Sequence, residues 1–284
     1  MQGVWLRAFG APDALQFGAL PDPVPREGWV AVELRAAALN CHDCLVRQGV
    51  YAGVPLPRVL GADGAGVRRD TGEEVVILPS LRWGGDDRAP GPSWEILGDY
   101  TDGTYAELVA VPAENLYAKP RNWSWAAAAA LPLAGLTAYR ALFSRGRLRS
   151  GETVLVLGAG GGVALIAVGL AAIAGARVLV TSSSDDKLAL ARSLGAAGGR
   201  FTPRRRGPRR SGNCLAATAS TWSSTRSGAP GRIRWPHSGP AGGSSPSARL
   251  ARPARRSTSG ASTSGSTRSS ARLWAARETS RRCC

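Results

Sequence analysis

The sequence predicts an α+β, β-rich domain over residues 1–123, the first half of a doubly wound α/β domain over 124–199, and a disordered tail over 200–284. Three observations carry that prediction. Short apolar runs punctuated by Pro and Gly fill the first stretch. A strand, Gly turn, helix, strand and helix follow one another in the second. Near residue 200 the composition changes abruptly.

In the first stretch "WVAVELRAAALN", "EEVVILPS" and "YAELVAVPA" alternate or run apolar, as strands do. Few stretches read as helical before "SWAAAAALPLAGLTAYRALFSRG", where Ser124 is a natural N-cap and Ala and Leu dominate. "ETVLVLG" then reads as a buried strand, "AGGGVALIAVGLAAIAG" as a Gly turn and helix, "ARVLVTSSS" as a second strand and "SDDKLALARSLGA" as a second helix. Asp185 and Asp186 fall at that helix's start, where the dipole favours negative charge. The run Thr153–Ala176 carries no charge and is long enough to span a bilayer. A strand, a turn and a buried helix describe it better, so no membrane partner is expected. "MQGVWLRAFGAPDALQ" lacks a basic-then-apolar leader, which points to a cytoplasmic protein.

The formal net charge is +16, but it is unevenly placed. Residues 200–284 hold 18 Arg, no Lys and the single acid Glu278, while residues 1–199 are close to neutral. The tail has no Val, Met or Tyr, and such a composition cannot bury enough apolar surface to offset its ordering entropy. The five Cys form no framework: Cys41 and Cys44 stand in the body, and Cys214, Cys283 and Cys284 in the tail. "CHDC" invites a metal, yet a structural site needs four protein ligands and a catalytic one three. His237 is the only other His, so no metal site is expected.

"GAGGGVA", Gly158 to Ala164, follows a strand and opens a helix, the context that gives a Gly-rich turn its weight. Without Cβ atoms, Gly158, Gly160, Gly161 and Gly162 let backbone N–H groups, with that of Val163, approach a pyrophosphate at a helix N-terminus. The alternative is a tight turn with no ligand. The next strand ends in Thr181, Ser182, Ser183 and Ser184, with Lys187 beyond, where an NAD site would carry an acid. Hydroxyls and a cation suit a 2′-phosphate, so NADPH is favoured over NADH. Read blandly, Asp185, Asp186 and Lys187 are only a solvated helix start.

The order of segments "AALNCHDCLVRQGVY", "PRVLGADGAGV", "TDGTYAELVAVPAENL", "AAAAALPLAGLTAYRAL" and "GETVLVLGAGGGVA" resembles the medium-chain dehydrogenase/reductase superfamily. It is most similar to its zinc-independent quinone oxidoreductase and enoyl reductase branch. The resemblance implies a GroES-like fold for residues 1–123 and a Rossmann fold after it. It further implies hydride transfer from NADPH to a quinone or an α,β-unsaturated carbonyl. Asn40, Asp43 and Tyr51 would line the catalytic side of the cleft, with Tyr51 bonding the substrate carbonyl, and Thr137 would lie near the cofactor. Relatives of this kind pair as homodimers. Alcohol dehydrogenases of the superfamily take zinc through a Cys and a His; the matching positions here are Asn40 and Ala62, so the resemblance implies no zinc. A zinc-type alcohol dehydrogenase relative stands as the alternative.

The resemblance stops where the tail begins, and the genetic code offers a reason. Read one base earlier, Ser codons of the TCN type put T in the middle position and encode apolar residues. "LAATASTWSSTRSGA" (Leu215–Ala229) then permits GGDGVDVVVDSVGG, a strand running into a Gly turn. Two junctions leave no choice: Trp274–Ala275 must give Gly and Cys283–Cys284 must give Leu, and both fit. The tail is therefore read as a frameshift beginning near Gly199–Arg200. On this reading the chain as written keeps half a Rossmann sheet, leaves its second strand with an unpaired edge, binds NADPH poorly and does not turn over. The rival is a non-catalytic remnant whose basic tail binds nucleic acid by counterion release. The tail lacks the interleaved aromatics of a single-strand platform, so no specific nucleic-acid partner is expected.

Overall fold

A computed structural model describes residues 1–51 and 53–201. The disordered-tail and frameshift readings lie almost wholly outside these residues.

The first domain opens with β1 (Gln2–Leu6) and β2 (Leu15–Ala19), a hairpin, followed by the long β3 (Trp29–Ala38). Helix α1 (Cys41–Arg47) follows, then β4 (Arg58–Val59), β5 (Asp63–Arg68) and β6 (Glu74–Ile77). Two short strands, β7 (Ser80–Leu81) and β8 (Glu95–Ile96), bracket a loop, and β9 (Leu108–Pro112) and β10 (Leu116–Ala118) complete the domain. One antiparallel sheet runs β10-β6-β5-β3-β9 and a smaller one β2-β1-β4. A register shift between Leu34 and Ala36 bends β3 against β5, curling the sheet. Val32, Val75, Ile77, Leu81, Leu97, Val109 and Val111 fill its interior.

The Ala-rich stretch is not one helix. Helix α2 (Trp125–Ala129) is capped by Ser124, whose Oγ accepts from the Ala127 N–H at 3.2 Å. Pro132, which has no N–H to donate, starts a new helix, α3 (Pro132–Tyr139), which runs on into a π-helical turn at Arg140–Arg145. Ala128 and Ala129 of α2 pack against Ala65 of β5, so the helix just after residue 123 lies on the first domain's sheet.

Strand β11 (Thr153–Val156), helix α4 (Gly162–Ile173), β12 (Arg177–Ser182), helix α5 (Asp185–Ser193) and β13 (Gly198–Phe201) form the second domain. The sheet is parallel, in the order β11-β12-β13. Val154, Val156, Val178 and Val180 pack under Ala164, Ala167, Val168 and Ala171 of α4, a core built on small helix residues and β-branched strands. Here the expectation of an unpaired edge on the second strand is corrected. Residues Leu179 to Ser182 of β12 pair with Gly198 to Phe201, so a third strand covers that edge and continues two residues past the boundary drawn at 199. No helix among the described residues is long and apolar enough to cross a membrane.

Candidate functional site

The chain leaves β3 at Ala38 and turns at Asn40 to begin α1. Asn40 is the N-cap, in extended backbone geometry, and its N–H donates to Asp43 Oδ2 at 2.8 Å. This is half of a capping box, with Asp43 at the third helical position. The sequence reading passes over α1 and takes Asn40 and Asp43 as cleft residues; N-x-x-D at the mouth of an apolar run was the available signal.

The Asn40 amide reaches away from its own helix. Its Nδ2 donates to Asp63 Oδ2 at 2.9 Å. The other oxygen of Asp63 accepts from the Leu133 N–H at 2.7 Å. Leu133 is the second residue of α3, so its N–H is among the donors a helix start leaves unsatisfied. One carboxylate thus ties α1, β5 and α3 together. Thr104 Oγ1 adds a bond to the Asp63 carbonyl at 2.8 Å. Asp63 is 1% exposed. Burial pushes its carboxyl up to about 6, opposed by the two donated bonds and reinforced by the nearby Asp43 charge. Burial also raises the Asp43 carboxyl, against the bonds from Tyr105 and from the Asn40 N–H. Tyr105 Oη donates to Asp43 Oδ2 at 2.8 Å; burial first, then the Asp43 charge, raise its phenol, which stays a donor. Sequence reasoning missed Asp63 and Tyr105. A lone Asp between glycines in "GADGAG" was the only hint of the first.

Beside this network His42 Nε2 lies 2.7 Å from Asp99 Oδ1. Its ring meets that of Tyr51 edge-on, with centroids 4.6 Å apart. Tyr51 is 40% exposed, at the open rim of the same region. Asn40, Asp43 and Tyr51 are therefore brought together around α1, with His42 and Asp99 added.

The Gly turn sits at the carboxyl end of β11. Gly158 and Gly160 have φ of +73° and +120°, which L side chains rarely adopt. Gly161 is the N-cap of α4 and Gly162 its first residue, followed by Val163. A Cβ on Gly161 would meet open space, which leaves a ligand free to approach the backbone there. The turn is pinned from β12. The Gly158 N–H donates to Thr181 Oγ1 at 3.2 Å, and Ser182 Oγ donates to the Ala159 carbonyl at 3.1 Å. Ser182 is buried and its hydroxyl is spent on the turn's backbone. Lys187, in the first turn of α5, lays its stem across Gly160, so that a Cβ there would sit 2.3 Å from Lys187 Cδ. Helix α3 touches both regions. Leu133 is bonded to Asp63, the Ala134 side chain lies 3.9 Å from where a Cβ on Gly162 would stand, and Thr137 Oγ1 donates back to the Leu133 carbonyl at 2.8 Å.

Among the described residues no group of three or more His, Cys, Asp or Glu side chains could hold a metal ion. Asn40, at one expected ligand position, donates to Asp63, and Ala62, at the other, is fully buried.

A curled β-domain is joined through α2 and α3 to a parallel βαβαβ unit with a strand-to-helix glycine turn, the local architecture of dinucleotide-binding folds. Residues 26–121 match the alcohol dehydrogenase GroES-like domain. A zinc-type alcohol dehydrogenase-like protein of Schizosaccharomyces pombe is 38% identical over 181 residues, covering 60% of this chain and 52% of that protein. The crystal structure of an NAD-dependent alcohol dehydrogenase is 44% identical, with a TM-score of 0.66 over 70% of this chain and 63% of its own. The quinone oxidoreductase of Thermus thermophilus, solved alone and with NADPH, is 34% identical, with a TM-score of 0.57 over 70% of this chain and 59% of its own. The chain belongs to the medium-chain dehydrogenase/reductase superfamily, in its quinone oxidoreductase-like branch. It spans about half the length of the curated relatives it matches.

Proposed function

We propose that this chain carries the catalytic domain and the adenosine half of the cofactor site of an NADPH-dependent oxidoreductase. Its acceptor would be a small quinone or an α,β-unsaturated carbonyl. The observation that carries the reading is the glycine turn at the start of α4, open at Gly161, with the Lys187 stem laid across Gly160. Backbone N–H groups at Gly161, Gly162 and Val163 suit a pyrophosphate, and Lys187 suits a 2′-phosphate. The NADPH complex solved for the Thermus relative supports the same cofactor.

NADPH supplies the hydride when it is bound. The chain's own residues position and polarise the acceptor. Tyr51 donates to the carbonyl oxygen, where negative charge develops during reduction. The Asn40 amide, held by Asp63, fixes the cleft wall, and Asp43 fixes the turn that presents Asn40. Thr137, one helical turn beyond Leu133 on α3, would lie near the cofactor. Ser182 acts through the turn it pins rather than on the phosphate. No step is routed through zinc, because neither Asn40 nor Ala62 is a zinc ligand.

Turnover needs the nicotinamide half of the sheet, and the frameshift reading assigns that half to the other frame of residues 200–284. The test compares the 284-residue chain with the frame-restored chain for NADPH oxidation by a quinone and by an enone. The proposal expects turnover only after restoration, with NADPH preferred to NADH. A restored chain that folds and prefers NADH would overturn the cofactor assignment.

A further inference from the structure

In the tetrad Cys41-His42-Asp43-Cys44, Asp43 supports the turn that presents Asn40, and the two thiols are left without a part in that site. They do have the spacing of a dithiol pair. Cys41 is the first residue of α1 and exposed, and Cys44 is one turn on and half-buried. Helix geometry sets their Cα atoms about 5 Å apart, inside the roughly 4.4–6.8 Å span that a disulfide bridges. Cys44 follows Asp43 in the chain, and the Asp43 carboxylate accepts from the Tyr105 hydroxyl and the Asn40 N–H, so the pair abuts the Asn40–Asp43–Tyr105 network. We propose that Cys41 and Cys44 form a reversible disulfide, a redox site that acts on Asn40 through the first turn of α1.

The co-reactant is a small disulfide such as oxidised glutathione. The Cys41 thiolate attacks one sulfur of it, forming a mixed disulfide and releasing one glutathione thiolate. Cys44 then gives up its proton and attacks the Cys41 sulfur, closing the intramolecular bond and expelling the second glutathione. The protein loses two electrons and two protons, and the small disulfide is reduced to two thiols. Access makes Cys41 the attacking thiol and Cys44 the resolving one.

Closure has a structural consequence. Side chains one helical turn apart keep Cβ atoms about 5–6 Å apart, whereas a disulfide draws them to about 3.8 Å. Cys41, at the end of the helix, is the residue that moves. It is bonded directly to Asn40, whose N–H caps Asp43 and whose Nδ2 holds Asp63. Oxidation therefore loosens the cap and shifts the Asn40 amide.

The test equilibrates the full 284-residue chain over a series of reduced-to-oxidised glutathione ratios, quenches with iodoacetamide and follows the tryptic peptide Ala36–Arg47, which holds both thiols. The expected result is a peptide that loses two hydrogens and takes up no alkyl group at the oxidised end, reverting on reduction. A peptide doubly alkylated throughout would overturn the proposal, as would Cys41 paired to Cys214, Cys283 or Cys284. In Cys44→Ser, Cys41 is expected to accumulate as the glutathione mixed disulfide; failure to do so removes its role as attacking thiol. The Asn40 side-chain amide signal is expected to shift on closure, and an unmoved signal would refute the link to the site.

Discussion

Asp63→Asn tests the carboxylate that joins α1, β5 and α3. Asp63 is buried, and its carboxyl titrates at about 6 in the fold against an ordinary value of 3.8. The folded state therefore holds the proton more tightly than the unfolded chain. Stability from this group is fully present below pH 4 and is lost as pH rises through about 6. A rise of that size corresponds to about 3 kcal/mol, most of which falls between about pH 4 and pH 6. Asn cannot titrate, so its stability difference from the parent must change with pH by that amount, in favour of Asn as pH rises. The constant part of the difference has another source: the Asn amide can accept only one of the two bonds now donated by Asn40 and Leu133. Urea unfolding of both chains, followed by tryptophan fluorescence at a series of pH values, reads the difference. A gap between the two chains that stays flat from about pH 4 to pH 7 would refute the reasoning.

Tyr105→Phe removes the phenol that bonds buried Asp43 and is expected to cost about 1–2 kcal/mol by thermal unfolding, with the core otherwise unchanged. Arg82→Ala strips the cation from Glu95, whose side chain is 1% exposed and keeps only the Tyr100 N–H and Thr101 hydroxyl. A loss of about 3 kcal/mol is expected in urea unfolding, because a buried carboxylate is left without its counter-charge. Resequencing the DNA for Leu194–Arg210 is expected to reveal a one-base change that restores the other frame; unaltered bases would contradict the frameshift.

The glycine turn was legible because its chemistry is local. Positive φ at Gly158 and Gly160 demands glycine whatever the rest of the chain does. The paired strands β11 and β12 were legible as apolar runs. Helix α1 was missed, since seven residues are too few for a periodic signal and its cap had to be recognised instead. The Ala-rich segment read as one helix because its composition is uniform, and Pro132 broke it. The Asp63 network was hidden for a different reason: its partners stand 23 and 70 residues away, a separation no local pattern reports. Ser182 was legible as a residue at the end of β12, but not in its direction. It shares the buried face of that strand with Val178 and Val180, which turns its hydroxyl toward the Ala159 carbonyl.

The most direct test of the cofactor reading uses half of the cofactor, the half that the proposal assigns to the glycine turn and Lys187. Calorimetric titration of the 284-residue chain with adenosine 2′,5′-bisphosphate and with adenosine 5′-monophosphate isolates the turn and Lys187. Tighter binding of the bisphosphate is predicted, with a loss of about tenfold or more of that preference in Lys187→Glu, as for removal of a charge-assisted bond of about 1.5–3 kcal/mol. Equal affinity for the two ligands, or a preference that survives in Lys187→Glu, would contradict the assignment of Lys187 to the 2′-phosphate.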